Sequence, residues 1–317
     1  MQSIMFNTYP TPIQYYGEFQ GNKIYIKRDD LTEPTLGGNK VRKLELFLAE
    51  AKNKDADYIV TYGSAQSNHC RLTVSMSNKL GFKVLLILSK TDKVRYNGNF
   101  LLYDVFDTEI IWTDTYNVSE TIDKIINTLK FEGYSPYFIQ GGGHGNLGTH
   151  AYKLVFDEIL DQEIQLGISF DKIFHASGTG TTQAGLIVGN KIHKQNKDII
   201  GISIARKEKR GKKVIADSIK DYILYKDEKI RFSDEDIIFV DKYVGQGYAD
   251  IYPGIISTIK FVAKKSSILL DPVYTGKAFY GMLRYIEENN IKDNNVLFIH
   301  TGGIPLLFSY AEMFKEG

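Results

Sequence analysis

Val84-Leu85-Leu86-Ile87-Leu88 is an unbroken apolar run of strand length, with no polar position left to face water. A strand half exposed to solvent alternates, so a run like this is expected where a sheet is covered on both faces. The rest of the chain supplies the covers. Strand-like stretches at 23–30, 58–62, 110–112, 137–140, 172–176, 199–204, 237–240 and 296–300 alternate with helical patterns at 40–53, 70–80, 97–104, 119–131, 149–166, 183–196, 212–224, 257–263 and 276–289. Such alternation implies parallel sheets with helices on their faces. The expected fold class is α/β, with two open parallel-sheet domains. Residues 1–43 plus 150–317 are expected to form the large domain and 44–149 the small one, with crossings near Lys40 and at 141–149.

Open parallel sheets bind ligands beyond the carboxyl ends of their strands. Four loops in that position have unusual composition: 63–69, 141–148, 177–182 and 301–303. In Ser177-Gly-Thr-Gly-Thr-Thr182, backbone N–H groups, hydroxyls and the start of a helix suit an anion, most economically a phosphate. An ordinary turn with a threonine cap needs fewer glycines and threonines. No lysine follows the last glycine, so this is not a Walker loop. Gly143-x-Gly145-x-x-Gly148 matches the dinucleotide fingerprint, but the acidic residue that should end the next strand is missing. Asp161 and Glu163 come before that strand begins, and NAD is rejected in favour of close backbone packing. Gln66-Ser67-Asn68-His69 places four hydrogen-bonding side chains at a helix start, which suits a carboxylate.

Gly37-Gly38-Asn39-Lys40 supplies a permissive turn and then a lysine in the first turn of a helix, where Val41, Leu44 and Leu48 recur at helical spacing. The positive end of the helix, with Arg42 and Lys43 nearby, should lower the pKa of an amine there, as a nucleophilic lysine requires. On this stretch alone a solvated surface lysine is the favoured reading, since those are common.

Composition narrows the classes. With 39 basic and 38 acidic residues the net charge is +1, which gives no field selecting for nucleic acid. One cysteine, Cys70, excludes an internal disulfide and fits a reducing compartment. The N-terminal stretch lacks the pattern of a signal peptide, and no apolar run approaches membrane-spanning length. A cytoplasmic protein without membrane or nucleic-acid partners is expected. Six scattered histidines with no acidic partner at ligand spacing predict no metal site.

A helix-start lysine, a Ser-Asn-His loop and a threonine-glycine loop point together to a ligand carrying an aldehyde and a phosphate, and pyridoxal 5'-phosphate fits. The chain here resembles the 1-aminocyclopropane-1-carboxylate deaminase and D-cysteine desulfhydrase family of fold type II, tryptophan-synthase-β-like enzymes. Six ordered motifs carry the likeness: Lys27-Arg-Asp-Asp30, Gly37-Gly-Asn-Lys-Val-Arg-Lys-Leu-Glu45, Gln66-Ser-Asn-His69, Ser177-Gly-Thr-Gly-Thr-Thr-Gln-Ala-Gly185, Asp271-Pro-Val-Tyr-Thr-Gly-Lys277 and His300-Thr-Gly-Gly303. The resemblance implies that Lys40 forms the Schiff base and that Asn68 meets the cofactor's phenolic oxygen. It implies that Gly178, Thr179, Gly180, Thr181 and Thr182 bind the phosphate and that Thr301 contacts the pyridine nitrogen. Ser67, with Asn68 and His69, would take the substrate, Ser67 and His69 facing its carboxylate. Tyr248 and Tyr274 would lie near the reacting carbons. A small amino-acid substrate and a homodimer follow from the same resemblance.

Three positions separate the branches. The deaminases resembled carry glutamate where this chain has Thr275, leucine at Thr301 and glutamine at His69. A carboxylate keeps the ring nitrogen protonated, whereas a hydroxyl lets it stay neutral. The expected activity is therefore a pyridoxal phosphate-dependent lyase acting by β-elimination, with D-cysteine as first choice. Ring opening, elimination or replacement on another amino acid such as L-cysteate or diaminopropionate, and a non-catalytic cofactor carrier are the alternatives.

Overall fold

The computed structural model describes residues 4–7, 9–91 and 94–315. The strands are β1 (Ile13–Phe19), β2 (Asn22–Lys27), β3 (Tyr58–Ser64), β4 (Lys83–Ser89), β5 (Glu109–Thr113), β6 (Pro136–Ile139), β7 (Lys172–Ser177), β8 (Asp198–Ser203), β9 (Ile238–Val240) and β10 (Asn295–Ile299). The helices are α1 (Asn39–Asn53), α2 (Asn68–Lys79), α3 (Gly98–Val105), α4 (Val118–Phe131), α5 (Asn146–Leu166), α6 (Thr181–Ile192), α7 (Glu208–Lys226), α8 (Pro253–Ser266), α9 (Thr275–Glu288) and α10 (Pro305–Ser309). They build two sheets. The smaller runs β5-β4-β3-β6 and is parallel throughout. The larger runs β1-β2-β10-β7-β8-β9, parallel except for β1. This is the α/β class with two open sheets.

The apolar run at 84–88 is β4, inside the smaller sheet. Val84, Leu86 and Leu88 pack with Cys70, Val74 and Tyr103 on one face, while Leu85 and Ile87 pack with Tyr58, Val60 and Leu129 on the other. Each such buried side chain contributes about 1.5–3 kcal/mol. In the larger sheet, Val296 and Phe298 face α8 and α9 while Leu297 and Ile299 face the side of α5, α6 and α7.

Two elements escape the sequence pattern. β1 is an antiparallel edge strand whose register shifts between Tyr15 and Gly17, so its residues do not keep a period of two. α10 is a single short turn opened by Pro305. Several helices also start earlier than expected. α6 begins at Thr181, which puts Thr181 and Thr182 in its first turn, and α5 begins at Asn146.

α1 belongs to both halves of the molecule. Leu44, Phe47, Leu48 and Ala51 pack with Ile59, Leu72 and Ile139 of the smaller sheet's core. Arg42 leaves the same helix in another direction and enters a buried network at the end of β2. Its Nε and Nη2 donate to Asp29 at 3.0 and 2.8 Å, and Nη1 and Nη2 reach Glu158 of α5 at 2.8 and 2.9 Å. Lys27 donates to Glu158 at 2.6 Å and to Gln162 at 2.6 Å. Thr11 and Tyr152 add hydroxyl donors to Asp29, each at 2.8 Å. Burial alone would raise the Asp29 carboxyl, but the Arg42 and Lys27 charges hold it below the usual carboxylate range.

Breaking one side of such a network leaves a buried charge without its partner. Asp29→Asn should lower the unfolding free energy by about 3 kcal/mol in urea melts, and a loss under about 1 kcal/mol would refute this role. The depressed carboxyl contributes stability above its unfolded pKa of about 3.9 and loses it as pH falls through the folded value. Wild-type stability should therefore fall more steeply below about pH 4 than that of Asp29→Asn.

Candidate active site

A cleft of about 710 Å³ opens between the two sheets at the carboxyl ends of their strands. Helices α1, α2 and α6 all start at its walls, with Gly38, Ser67 and Gly180 as their capping residues. Each contributes N–H groups that have no partner within its helix. Gly38 has φ 123° and Gly302 has φ 81°, and their backbones pass so closely that a Cβ on Gly302 would lie 2.6 Å from the Gly38 Cα. This close pass joins the start of α1 to the end of β10, and Asn39 N–H donates to Thr301 O at 3.0 Å.

Lys40 is the second residue of α1 and lines the cleft. Its Nζ donates to the Gly142 carbonyl at 2.9 Å. Burial pushes the amine down to about 8. The sequence argument had the direction right and the cause wrong: desolvation lowers this amine, and Arg42 is turned away into the Asp29 network. Gly142 must be a glycine here, since it has φ 74° and a Cβ would fall 2.7 Å from Thr179 Cγ2.

The glycine-threonine loop lies opposite. Gly178, Thr179, Gly180 and Thr182 line the cleft, and the first turn of α6 has no side-chain cap. Thr181 does not join them. It is fully buried, and its Oγ1 accepts from Lys43 Nζ at 2.7 Å. Thr179 and Thr182 are the threonines of this run that line the cleft, which narrows the expectation that the whole run offers hydroxyls. Lys43 is the residue that sequence reasoning used only as a nearby charge. It is fully buried with no carboxylate partner among the described residues, and burial, with the Lys40 charge beside it, holds it well below the usual lysine range. Its spacing of three from Lys40 on a helix placed it on the same face. Arg206 was also overlooked, although it follows a strand; it lines the cleft and donates to the Gly178 carbonyl.

At the start of α2, Ser67 caps the helix by accepting from Cys70 N–H at 3.2 Å. Asn68 Oδ1 accepts from Asn99 Nδ2 at 2.8 Å, so its own amide N–H₂ is left for the cleft side. His69 lines the cleft but is only 2% exposed. Tyr248 and Tyr274 form a hydroxyl pair at 2.8 Å; burial raises the Tyr274 phenol, while the Tyr248 side chain is 45% exposed. Thr301 lines the cleft and Thr275 does not. Thr275 Oγ1 donates to Asp271 Oδ1 at 2.7 Å and accepts from Asp271 N–H at 2.9 Å, which closes it off from the cleft. Among the described residues, no Asp or Glu side chain lines the cleft and no group of acidic, His and Cys residues could hold a metal. No helix is long and apolar enough to cross a membrane among those residues.

The uncapped start of α6, with buried Lys43 behind it and an amine of lowered pKa across the cleft, fits the phosphate and aldehyde of pyridoxal phosphate. Comparison with known proteins gives the same answer. The chain is 37% identical over 311 residues to a putative 1-aminocyclopropane-1-carboxylate deaminase of Pyrococcus furiosus, covering 95% of this chain and 92% of that one. It is 35% identical over 316 residues to a D-cysteine desulfhydrase of Klebsiella pneumoniae, covering 95% and 94%. A crystal structure of an ACC deaminase homologue superposes with TM-score 0.90 at 34% identity, covering 98% of this chain and 95% of that one. The family described as pyridoxal-phosphate dependent enzyme matches residues 4–302, and the chain belongs to it.

Proposed function

We propose that this protein is a pyridoxal phosphate-dependent carbon–sulfur lyase that converts D-cysteine and water to pyruvate, sulfide and ammonia. The observation that carries the reading is a cleft wall without a carboxylate among the described residues, in which the hydroxyl of Thr301 stands and Asp271 is closed off behind Thr275. Asp271 is further bonded by the N–H groups of Val273, Tyr274 and Thr275, so it has little capacity left for a ligand. When bound, the cofactor supplies an electron sink, and without a carboxylate at its ring nitrogen that sink suits loss of a good β leaving group better than opening of a cyclopropane. The D-cysteine desulfhydrase relative supports the choice of substrate.

Each residue then has a task that its geometry supports. Lys40, with a pKa near 8, is partly free amine at neutral pH and can bond covalently to the cofactor and then carry the α-proton. The start of α6, with Lys43 behind it, holds the phosphate. Asn68 turns N–H donors toward the cleft, as a phenolic oxygen needs. Ser67 and the N–H groups of Asn68 and His69 at the positive end of α2 suit the substrate carboxylate. The Tyr248–Tyr274 pair places a phenolic proton across the cleft, available to the departing sulfur. The distribution of strands between the two sheets supports the division into 1–43 with 150–317 and 44–149.

Borohydride reduction of the yellow protein should fix the cofactor on Lys40, read by peptide mass spectrometry; a label on Lys43 or Lys277 would sink the assignment. Lys40→Ala should keep its fold and lose turnover. Lys43→Met should weaken cofactor retention by about 1.5–3 kcal/mol, as expected for a lost bond involving a charged group. Thr181→Ala should cost less than Lys43→Met, and unchanged affinity in both would overturn the phosphate reading. Wild-type protein should release pyruvate and sulfide from D-cysteine and little 2-oxobutyrate from 1-aminocyclopropane-1-carboxylate. If ring opening matches or exceeds elimination at equal substrate concentrations, the protein is a deaminase.

A further inference from the structure

His69 has a ring nitrogen with no assigned work. Its Nε2 lies 2.9 Å from Thr61 Oγ1, and Thr61 Oγ1 is 2.7 Å from the Ile139 carbonyl. A carbonyl can only accept, so the single Thr61 proton goes to Ile139 and Thr61 must accept from His69. The proton of the ring is therefore on Nε2, facing away from the cleft. Nδ1 carries only a lone pair, is buried, and has no hydrogen-bond partner among the described residues. A buried acceptor left unpaired is costly, so such an atom calls for a donor.

The donor can be identified from the walls. A lone pair repels a carboxylate, so the His69 side chain is unsuited to the substrate carboxylate and only its backbone N–H serves that group. Lys40 shares the cleft with His69, is not hydrogen-bonded to it in this structure, and has one acceptor, the Gly142 carbonyl. As an ammonium it carries three donors. The charged or titratable groups around it are Lys43 on its own helix, His69 on α2, Arg206, Lys207 and Arg210 at the start of α7, and the phenols Tyr248 and Tyr274. None of these side chains is an anion, so the protein itself offers a protonated Lys40 only neutral acceptors.

We propose that His69 Nδ1 is the second acceptor for the Lys40 amine, positioning it and holding its ammonium form after the α-proton has been taken. The proposal rests on Lys40 as the cofactor-bearing amine. His69 itself stays neutral: burial, then the charges of Lys40 and Lys43, hold its ring well below the usual histidine range. Proton and charge thus stay on Lys40, and His69 only accepts a hydrogen bond.

Two readouts test this on the full-length protein. Ring ¹⁵N NMR of the holoenzyme should show His69 protonated on Nε2, and a proton on Nδ1 would overturn the proposal. After cofactor removal, with the fold checked by circular dichroism, the pH dependence of Lys40 acylation follows its free amine. In His69→Leu the midpoint should fall by about one pH unit, since losing an acceptor disfavours the ammonium. Thr61→Val, which does not touch the cleft, should lower it as well by freeing the ring to turn an N–H toward Lys40. His69→Asn, whose Oδ1 stands at the place of Nδ1, should restore it. An unmoved midpoint in the folded members of the His69→Leu and Thr61→Val pair overturns the proposal. In the holoenzyme, His69→Leu should lower kcat about tenfold with KM within about twofold; a raised KM with unchanged kcat would mean that His69 holds the carboxylate instead. If Lys40 is not the cofactor lysine, the borohydride-fixed peptide reveals it, whatever the acylation midpoint does.

Discussion

The seat of α1 is the constraint on which the site depends. One helix packs its apolar face into the smaller sheet's core and sends Arg42 into Asp29 and Glu158 beside the larger sheet. Lys40 lies on the same helix two residues before Arg42, so its position follows from both sheets at once. The network gains little net energy from burying charges, because desolvation offsets much of the attraction. What it provides is direction, since a guanidinium fork bonded at fixed distances to two carboxylates has few alternative placements.

The same geometry explains the electrostatics of the cleft. Three helix starts converge on it, two amines line or back it, and no carboxylate of the described residues stands on its wall. Desolvation is the largest influence on both amines and lowers them, Lys40 to about 8 and Lys43 well below the usual lysine range. An incoming phosphate or carboxylate supplies the missing charge and would draw protons back onto Lys43 and its neighbours. Binding and protonation are thus coupled, and the chemistry is set by what the wall lacks as much as by what it holds.

Much of this was written locally. The run at 84–88 required a covered strand, and β4 is covered on both faces. The rule that ligands bind beyond strand ends selected loops that do meet in one cleft: Gly63, Gly142, Thr179 and Thr301 all line it. Close packing was the right reading of Gly148, where a Cβ would lie 2.1 Å from the Gly143 carbonyl oxygen, but not of Gly145, which has open space around it and a φ of 117°. β1 was not legible, because its register shift erases the alternation by which a strand is recognised.

The sequence by itself determined the period of each element, the order of the loops and the residue types available at each strand end. Those are properties of neighbours along the chain, and neighbours share a pattern. Only the tertiary structure decided which of two adjacent side chains faces the cleft. Thr182 lines it while Thr181 turns back to Lys43, and Thr301 lines it while Thr275 closes on Asp271. It also decided that burial, more than the field of a helix end, lowers Lys40. Side-chain direction and desolvation are set by atoms distant in sequence, such as the Ile139 carbonyl that fixes the proton of His69 through Thr61.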